Sequence, residues 1–125
     1  MISQSTSNIL MIRPAAFRMN EETAGNNYYQ KVLDNISAED VVDKALEEFD
    51  NMVEILRSEG VNIIVFEDLL ETDTPDALFP NNWVSFHSNG KVALYPMYAN
   101  NRRLERREDI LFDLEHVHDF NISDI

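Results

Sequence analysis

The sequence contains no cysteine, and its 125 residues include only three glycines and four prolines. Without cysteine, these residues can form neither a disulfide bond nor a thiol nucleophile. The low glycine and proline content excludes collagen-like and linker-like chains. No apolar stretch approaches the roughly 20 residues that cross a bilayer, and the first residues lack the basic and apolar parts of a signal peptide. These absences favour a globular protein, for which we expect a cytoplasmic location.

Basic residues are also scarce, because 10 lysines and arginines stand against 23 acidic residues, which gives a net charge of −13. A chain this acidic repels the phosphates of nucleic acids and the anionic surface of membranes. We therefore expect neither nucleic acid nor membrane as a partner. The length is that of one domain and is sufficient for a buried core.

The first half of the chain has the pattern of a strand, a helix and a second strand. The apolar run 8–12 predicts a buried strand, and the β-branched run 61–66 predicts another. Ser37 and Asp40 form a capping-box signature that predicts the start of a helix ending at Gly60. Two parallel strands and a connecting helix would form a βαβ unit. The apolar stripe of the helix consists of Val42, Ala45, Leu46, Phe49, Met52, Val53 and Leu56.

The second half predicts a hairpin and a helix. Residues 83–87 and 92–95 alternate as strands do, and a two-residue type I′ turn is expected at 89–90. An amphipathic helix is predicted from Arg102 onward, with Leu104, Ile110, Leu111 and Leu114 apolar. Residues 119–125 show neither a cap nor a periodicity, so an irregular end is expected.

A long polar loop is predicted over residues 15–35, with a helical turn at 28–33. Loops of this length in compact domains often have a functional role. Aromatic residues are expected in the core or half-buried on a sheet. These residues are Tyr28, Tyr29, Trp83, Phe86 and Tyr95.

The stretch 75–83 is the first candidate site. Its short polar side chains, Asp76, Asn81 and Asn82, converge on the start of a strand, and strand ends commonly bind ligands. Proline, aspartate and asparagine are also turn formers, so a turn without a binding role is the alternative interpretation.

Four arginines within six positions form the second candidate site: Arg102, Arg103, Arg106 and Arg107. The rigid guanidinium fork suits a carboxylate or a phosphate. The alternative is a solvated helix start, in which Arg103 and Arg107 lie one turn apart.

Histidines provide a third, weaker candidate. His116 and His118 alternate as two ligands on one face of a strand do, and Asp119 follows them. Because the sequence supplies no clear further ligand, a surface position without metal is the interpretation we favour. His87, at the end of a predicted strand, is interpreted as structural rather than as a catalytic base.

Several motifs together resemble the amidinotransferase and arginine-deiminase superfamily, whose pentein fold is an α/β-propeller of five ββαβ units. The similarity is greatest to the citrulline-utilisation hydrolase branch. The resemblance implies an α/β fold with about one ββαβ unit and part of the next, a mixed sheet and flanking helices. Residues 1–125 would then be a single, incomplete, N-terminal part of such a domain. The motifs occupy residues 12–14, 23–27, 75–83, 94–97 and 101–106.

In this superfamily a cysteine near the C-terminus attacks the guanidinium or ureido carbon, a histidine transfers protons, and no metal or organic cofactor takes part. The resemblance implies the N-terminal portion of an enzyme that acts on C–N bonds of a small guanidino or ureido amino acid. No catalytic residue is expected in this chain, because the nucleophile is absent, so the chain alone should be inactive. A non-catalytic amino-acid-binding or interaction module on the same fold is the alternative. Uncovered sheet and helix faces would permit association into a homo-oligomer.

The resemblance also implies a substrate-binding set: Asp76, Phe79, Asn81, Asn82 and Arg102. Asp76 corresponds to a residue that orients the substrate through its polar end, and Arg102 to the arginine that binds its α-carboxylate. Asn81 and Asn82 stand where deiminases and dimethylarginine hydrolases have acidic residues around the guanidinium. Amides both donate and accept hydrogen bonds, so they suit a neutral ureido group better than a cation. This substitution predicts a preference for a citrulline-like substrate over arginine.

Overall fold

The computed structural model describes residues 5–18 and 37–125. The predicted helical turn at 28–33, the motif at 23–27, Tyr28, Tyr29 and most of the predicted loop lie outside the described residues. The strands are β1 (Asn8–Arg13), β2 (Asn62–Glu67), β3 (Val84–Phe86) and β4 (Val92–Leu94), and the helices are α1 (Ala38–Ser58), α2 (Asn100–Arg103) and α3 (Glu108–His116). Single 3-10 turns cover Leu70–Thr72 and Pro80–Asn82.

The predicted parallel pair is confirmed. β1 and β2 run parallel, with Asn8 opposite Asn62 and Arg13 opposite Glu67. Apolar side chains pack on both faces of this pair, since alternate residues of a strand point to opposite sides. One face contacts α1 through the cluster Phe49, Val53 and Ile63, and the other belongs to the main core, which contains Ile12, Ile64, Trp83, Val84, Val92, Ile110, Leu111 and Leu114.

Helix α1 begins and ends as predicted. The Ser37 hydroxyl accepts a hydrogen bond from the Asp40 amide at 3.2 Å. Gly60 follows the helix with φ +89°, a conformation that favours glycine. Of the predicted apolar stripe, Phe49 and Val53 are buried, but Met52 is 53% exposed. The part of the sheet that the structure describes has two strands, which cover only part of the stripe.

The hairpin forms, but its predicted turn is wrong. β3 and β4 pair antiparallel, with Val84 opposite Leu94. The Gly90 amide donates to the His87 carbonyl at 2.9 Å, and Asn89 does not have a positive φ, whereas a type I′ turn at 89–90 requires one. Gly90, with φ +85°, instead follows the turn. The parallel and antiparallel pairs form two separate sheets among the described residues, not one mixed sheet.

The C-terminal residues are more regular than predicted. Lys91 forms a parallel bridge with Asp124, and the Val92 amide donates to the Asp124 carbonyl at 2.9 Å. Phe120 and Ile122 pack against the main core. The hairpin and the main core supply these contacts, so the local sequence contains no signal for them.

The single helix predicted from Arg102 onward is wrong, because the chain forms α2 and α3 with a break between them. Leu104, expected on the apolar face, lies in the break and is 54% exposed, whereas Ile110 is buried as predicted.

Of the aromatic residues expected in the core or half-buried on a sheet, Trp83 is buried, and Phe86 and Tyr95 are 47% and 42% exposed. No helix within residues 5–18 and 37–125 is both long enough and apolar enough for a membrane span.

Candidate functional site

Two consecutive turns bring the polar stretch before β3 to the surface of the core. The Phe79 amide donates to the Asp76 carbonyl at 3.1 Å, and the Asn82 amide donates to the Phe79 carbonyl at 3.2 Å. The next residue, Trp83, is 1% exposed and anchors the stretch. The turn interpretation of this sequence is therefore confirmed for its backbone. The same turns also determine where the side chains of this stretch lie.

Arg102 lies at the centre of the candidate site. Its Nη2 donates to Asn82 Oδ1 at 3.1 Å and lies 3.5 Å from the Asp76 carbonyl oxygen. Its Nε lies 3.8 Å from Asp76 Oδ2, and both side chains are 14% exposed. The structure thus brings together three residues that the sequence separates: Asp76, Asn82 and Arg102.

The other two predicted site residues lie apart from this group. Phe79 is 43% exposed, and Asn81 is also exposed. Within the described part of the chain, neither side chain forms a hydrogen bond or an ion pair with Arg102. Both residues belong to the same turns as Asp76 and Asn82, so their backbone lies next to the group.

Glu105 was not predicted to be part of the site. Its side chain is 1% exposed, and its two carboxylate oxygens accept hydrogen bonds from Arg102 Nε at 2.9 Å and from Nη2 at 3.0 Å. The three-residue spacing of Arg102 and Glu105 was visible in the sequence. Charged pairs at this spacing are usually exposed, so the spacing alone does not indicate a buried pair.

Two carboxylates, those of Glu105 and Asp76, lie within 4 Å of the Arg102 guanidinium. Burial raises the pKa of Glu105, the hydrogen bonds from Arg102 lower it, and the charges of Asp76 and Asp68 raise it further. Burial also raises the pKa of Asp68, and the Thr74 hydroxyl, which donates to Asp68 at 2.9 Å, lowers it. The site is therefore one cation in an acidic, partly desolvated environment.

Arg102 and Asn82 keep hydrogen-bond donors that the described residues do not use. Glu105 occupies the Nε and Nη2 edge of Arg102, and Nη1 donates no hydrogen bond to any residue that the structure describes. Since a guanidinium has no acceptor, its contact with Asn82 requires the amide oxygen to face Arg102 and leaves the amide nitrogen for other partners. Nη1 and the Asn82 amide nitrogen suit acceptors, such as a carboxylate or a carbonyl oxygen.

The other three arginines of the cluster have structural contacts. The alternative of a solvated helix start holds in part, because Arg103 and Arg106 are exposed, but these side chains also reach back to neighbouring segments. Each donates to a main-chain carbonyl oxygen: Arg103 to Met97 at 2.8 Å, Arg106 to Tyr95 at 3.0 Å and Arg107 to Glu67 at 2.7 Å.

The histidines do not form a metal site with other described residues. The His116 ring packs on Phe112, with 4.3 Å between ring centroids, and His118 contacts the edge of Phe66. No group of three histidine, aspartate or glutamate side chains in residues 5–18 and 37–125 is placed to hold a metal ion. The third candidate of the sequence analysis thus gains no support.

His87 lies in a small polar group on the hairpin. Its Nε2 is 3.0 Å from the Ser85 hydroxyl, which is 2.8 Å from the Tyr95 hydroxyl. These contacts join the two strands of the hairpin, which agrees with the structural role predicted for His87.

One comparison with known proteins gives a match. The model of the family described as N,N dimethylarginine dimethylhydrolase, eukaryotic, matches residues 13–125. The match includes Arg102 and every residue that contacts its side chain here. This is a family of the pentein superfamily, so the superfamily expected from the motifs is confirmed. The curated proteins and the solved structures give no significant match.

Proposed function

This chain belongs to the eukaryotic N,N-dimethylarginine dimethylhydrolase family, and from that membership we propose that it supplies part of the substrate-binding surface of a pentein hydrolase acting on a small arginine derivative. The observation that carries the proposal is the convergence of Asp76, Asn82 and Arg102. We further propose that residues 1–125 are one incomplete N-terminal part of the α/β-propeller, comprising about one ββαβ unit and part of the next.

In this proposal, Arg102 binds the α-carboxylate of the substrate. Its Nη1 edge is the part of the guanidinium that the described residues leave available. Asp76 orients the same polar end of the substrate, because a carboxylate accepts hydrogen bonds from an α-ammonium group. Each charged group of a zwitterionic substrate would therefore meet a side chain of opposite charge, Arg102 for the carboxylate and Asp76 for the ammonium group.

Asn81, Asn82 and Phe79 would face the rest of the substrate. The orientation that Arg102 imposes on Asn82 presents an N–H donor, which can bind the oxygen of a ureido group but not a guanidinium, which has only donors. The partly exposed ring of Phe79 offers apolar surface to the methylene chain. This chemistry supports a preference for a citrulline-like ligand over arginine.

The covalent chemistry would come from elsewhere. A thiolate attacks the guanidinium or ureido carbon, the C–N bond breaks as the amine leaves with a proton, and water then releases the product from sulfur. These 125 residues contain no cysteine. We therefore assign the thiolate and the proton-transferring histidine to polypeptide outside them, and binding to this chain.

A non-catalytic module that binds an amino acid is the second candidate, because the contacts of Arg102 with Asn82 and Asp76 could bind a zwitterion without a thiolate. Sequencing the reading frame beyond Ile125 separates the two. A continuation that encodes a histidine followed by a cysteine supports the enzyme, whereas a stop codon at that point supports the module.

Calorimetric titration of the 125-residue chain with citrulline, arginine and N,N-dimethylarginine tests the proposed function. We expect citrulline to bind most tightly and none of the three to be turned over. Arg102→Lys should weaken all three, because an ammonium cannot reproduce the geometry of the guanidinium. The absence of binding, or tighter binding of arginine at neutral pH, would contradict the proposal.

Asn81→Asp and Asn82→Asp test the preference for a neutral ligand. Either carboxylate should move the ratio of arginine to citrulline affinity toward arginine by roughly tenfold, because a charge-assisted hydrogen bond replaces a neutral one. Asn82→Asp should also weaken both ligands, since the new carboxylate would lie next to Arg102 and neutralise it. Asn81→Asp serves as the matched control without that contact. An unchanged ratio in both variants would refute the role of the amides.

A further inference from the structure

Glu105 combines deep burial with a fixed orientation. It lies in the turn between α2 and α3, and its amide donates to the Arg102 carbonyl at 3.2 Å. Glu105 and Thr74 are the polar or charged residues that are buried among those the structure describes. A carboxylate this far from water is costly unless a cation and hydrogen bonds compensate for the lost hydration. Arg102 supplies both.

A buried ion pair of this kind is weak evidence for a stabilising role. Replacing a buried ion pair by apolar residues of similar size is often neutral or stabilising. The pair does, however, fix a geometry: two parallel contacts at 2.9 and 3.0 Å hold the plane of the guanidinium. The other contacts of Arg102 with described residues are longer: to Asn82 at 3.1 Å, to the Asp76 carbonyl at 3.5 Å and to the Asp76 carboxylate at 3.8 Å. Among the described residues, Glu105 alone accepts hydrogen bonds from both nitrogens of one edge.

We propose that Glu105 is a positioning residue, which holds the Nε and Nη2 edge of Arg102 so that the Nη1 edge meets the carboxylate of the ligand. This inference rests on the proposed function, which gives Arg102 its role toward the carboxylate. Because Glu105 occupies Nε and Nη2 on the side edge of the guanidinium, the ligand carboxylate meets the end of the guanidinium through Nη1.

Asp76 gives the proposal a specific consequence. Its carboxylate lies 3.8 Å from Arg102 Nε, which Glu105 currently occupies. Without the charge of Glu105, Asp76 becomes the nearest carboxylate to that nitrogen. Arg102 would then turn toward Asp76, and both residues would lose their orientation toward a zwitterionic ligand.

The test compares Glu105→Gln with Glu108→Gln in the full chain. Glu108 is an exposed residue of the first turn of α3 and is the matched control. In ¹⁵N NMR spectra, the Arg102 Nε–H should exchange with water about tenfold faster in Glu105→Gln than in the wild type, because a charge-assisted hydrogen bond is lost. Glu108→Gln should leave that exchange rate unchanged.

Ligand affinity is the second measurement. A purely structural role of Glu105 would not make the loss of affinity depend on the carboxylate of the ligand. Citrulline affinity should fall about tenfold in Glu105→Gln, while that of citrulline α-carboxamide, which lacks the charged carboxylate, should fall less than about twofold. Should Glu105→Gln fail to fold, Glu105→Asp replaces it, because the shorter carboxylate keeps the charge but cannot reach both nitrogens.

The outcomes separate the two proposals. If the wild type binds neither ligand, the proposed function is wrong, and the exchange rate of Arg102 Nε–H alone decides whether Glu105 positions the guanidinium. If the wild type binds citrulline, equal losses for the acid and the carboxamide would overturn the positioning role. An unchanged exchange rate in Glu105→Gln would overturn it in either case.

Discussion

Two arginine–carboxylate pairs with nearly the same geometry contain carboxylates whose pKa values are shifted in opposite directions. Arg13 and Asp50 join β1 to α1 through contacts of 2.9 and 3.0 Å, and Arg102 and Glu105 form contacts of the same lengths. The hydrogen bond from Arg13 lowers the pKa of Asp50, whereas burial raises the pKa of Glu105 despite its arginine. The side chain of Asp50 is 55% exposed and that of Glu105 is 1% exposed. Burial, not geometry, decides the sign.

The difference shows which pair is suited to a binding role. At the surface, water solvates both partners, so the Arg13 pair adds little beyond joining two elements. In the interior, each partner depends on the other, so the Arg102 pair defines an orientation that a ligand can use. Three comparisons between the two pairs test this account.

Removing the arginine should give the largest difference. Arg102→Leu leaves Glu105 buried without a partner and should lower the free energy of unfolding by about 3 kcal/mol. Arg13→Leu leaves Asp50 in water and should cost several times less. Urea unfolding followed by the fluorescence of Trp83, the one tryptophan, measures both. Equal losses would show that the two pairs do not differ as described.

Replacing both partners of a pair should restore part of the stability lost in the arginine variant for the buried pair, but not for the exposed pair. Arg102→Leu with Glu105→Leu should be more stable than Arg102→Leu by about 1 kcal/mol or more, because no buried charge is left unpaired. The corresponding cycle at Arg13 and Asp50 should show a coupling close to zero. A double variant less stable than Arg102→Leu would contradict the proposed cost of the unpaired Glu105.

Acid should affect the two carboxylates in opposite directions. The lowered pKa of Asp50 means that its contribution to stability is complete above its ordinary value of 3.8 and is lost as pH falls through the lowered pKa. The raised pKa of Glu105 means that its ionisation disfavours the folded state at neutral pH, and that this penalty is relieved as pH falls through the raised pKa. Carboxyl ¹³C NMR titration of the folded chain should show Asp50 titrating below its ordinary value and Glu105 above 4.5. Reversed midpoints would contradict the burial argument.

The elements that the sequence predicted well have their signals in their own residues. Ser37 caps α1 by bonding three residues away, and Gly60 ends that helix through its own backbone conformation. The parallel pairing followed from two apolar runs with a helix between them. Each of these signals lies within the element that it specifies.

The elements that the sequence did not predict depend on distant contacts. Residues 119–125 lack a pattern of their own because the hairpin supplies their partners, beginning with Lys91. The break between α2 and α3 accompanies the burial of Glu105, and a charge at that spacing resembles an exposed helix face. The juxtaposition of Asn82 and Arg102 was expected from motif resemblance, whereas the partner that holds Arg102 was not.

The most direct test of the central claim is ¹⁵N NMR titration of the full chain with citrulline. The account predicts that the Arg102 Nε–H and the Asn82 side-chain amide signals shift together and saturate at the dissociation constant found by calorimetry. The Nε–H of Arg13, in its exposed pair, should stay in place. A saturable shift at Arg13 but not at Arg102, or no saturable shift at either arginine, would contradict the claim that Arg102 binds the ligand.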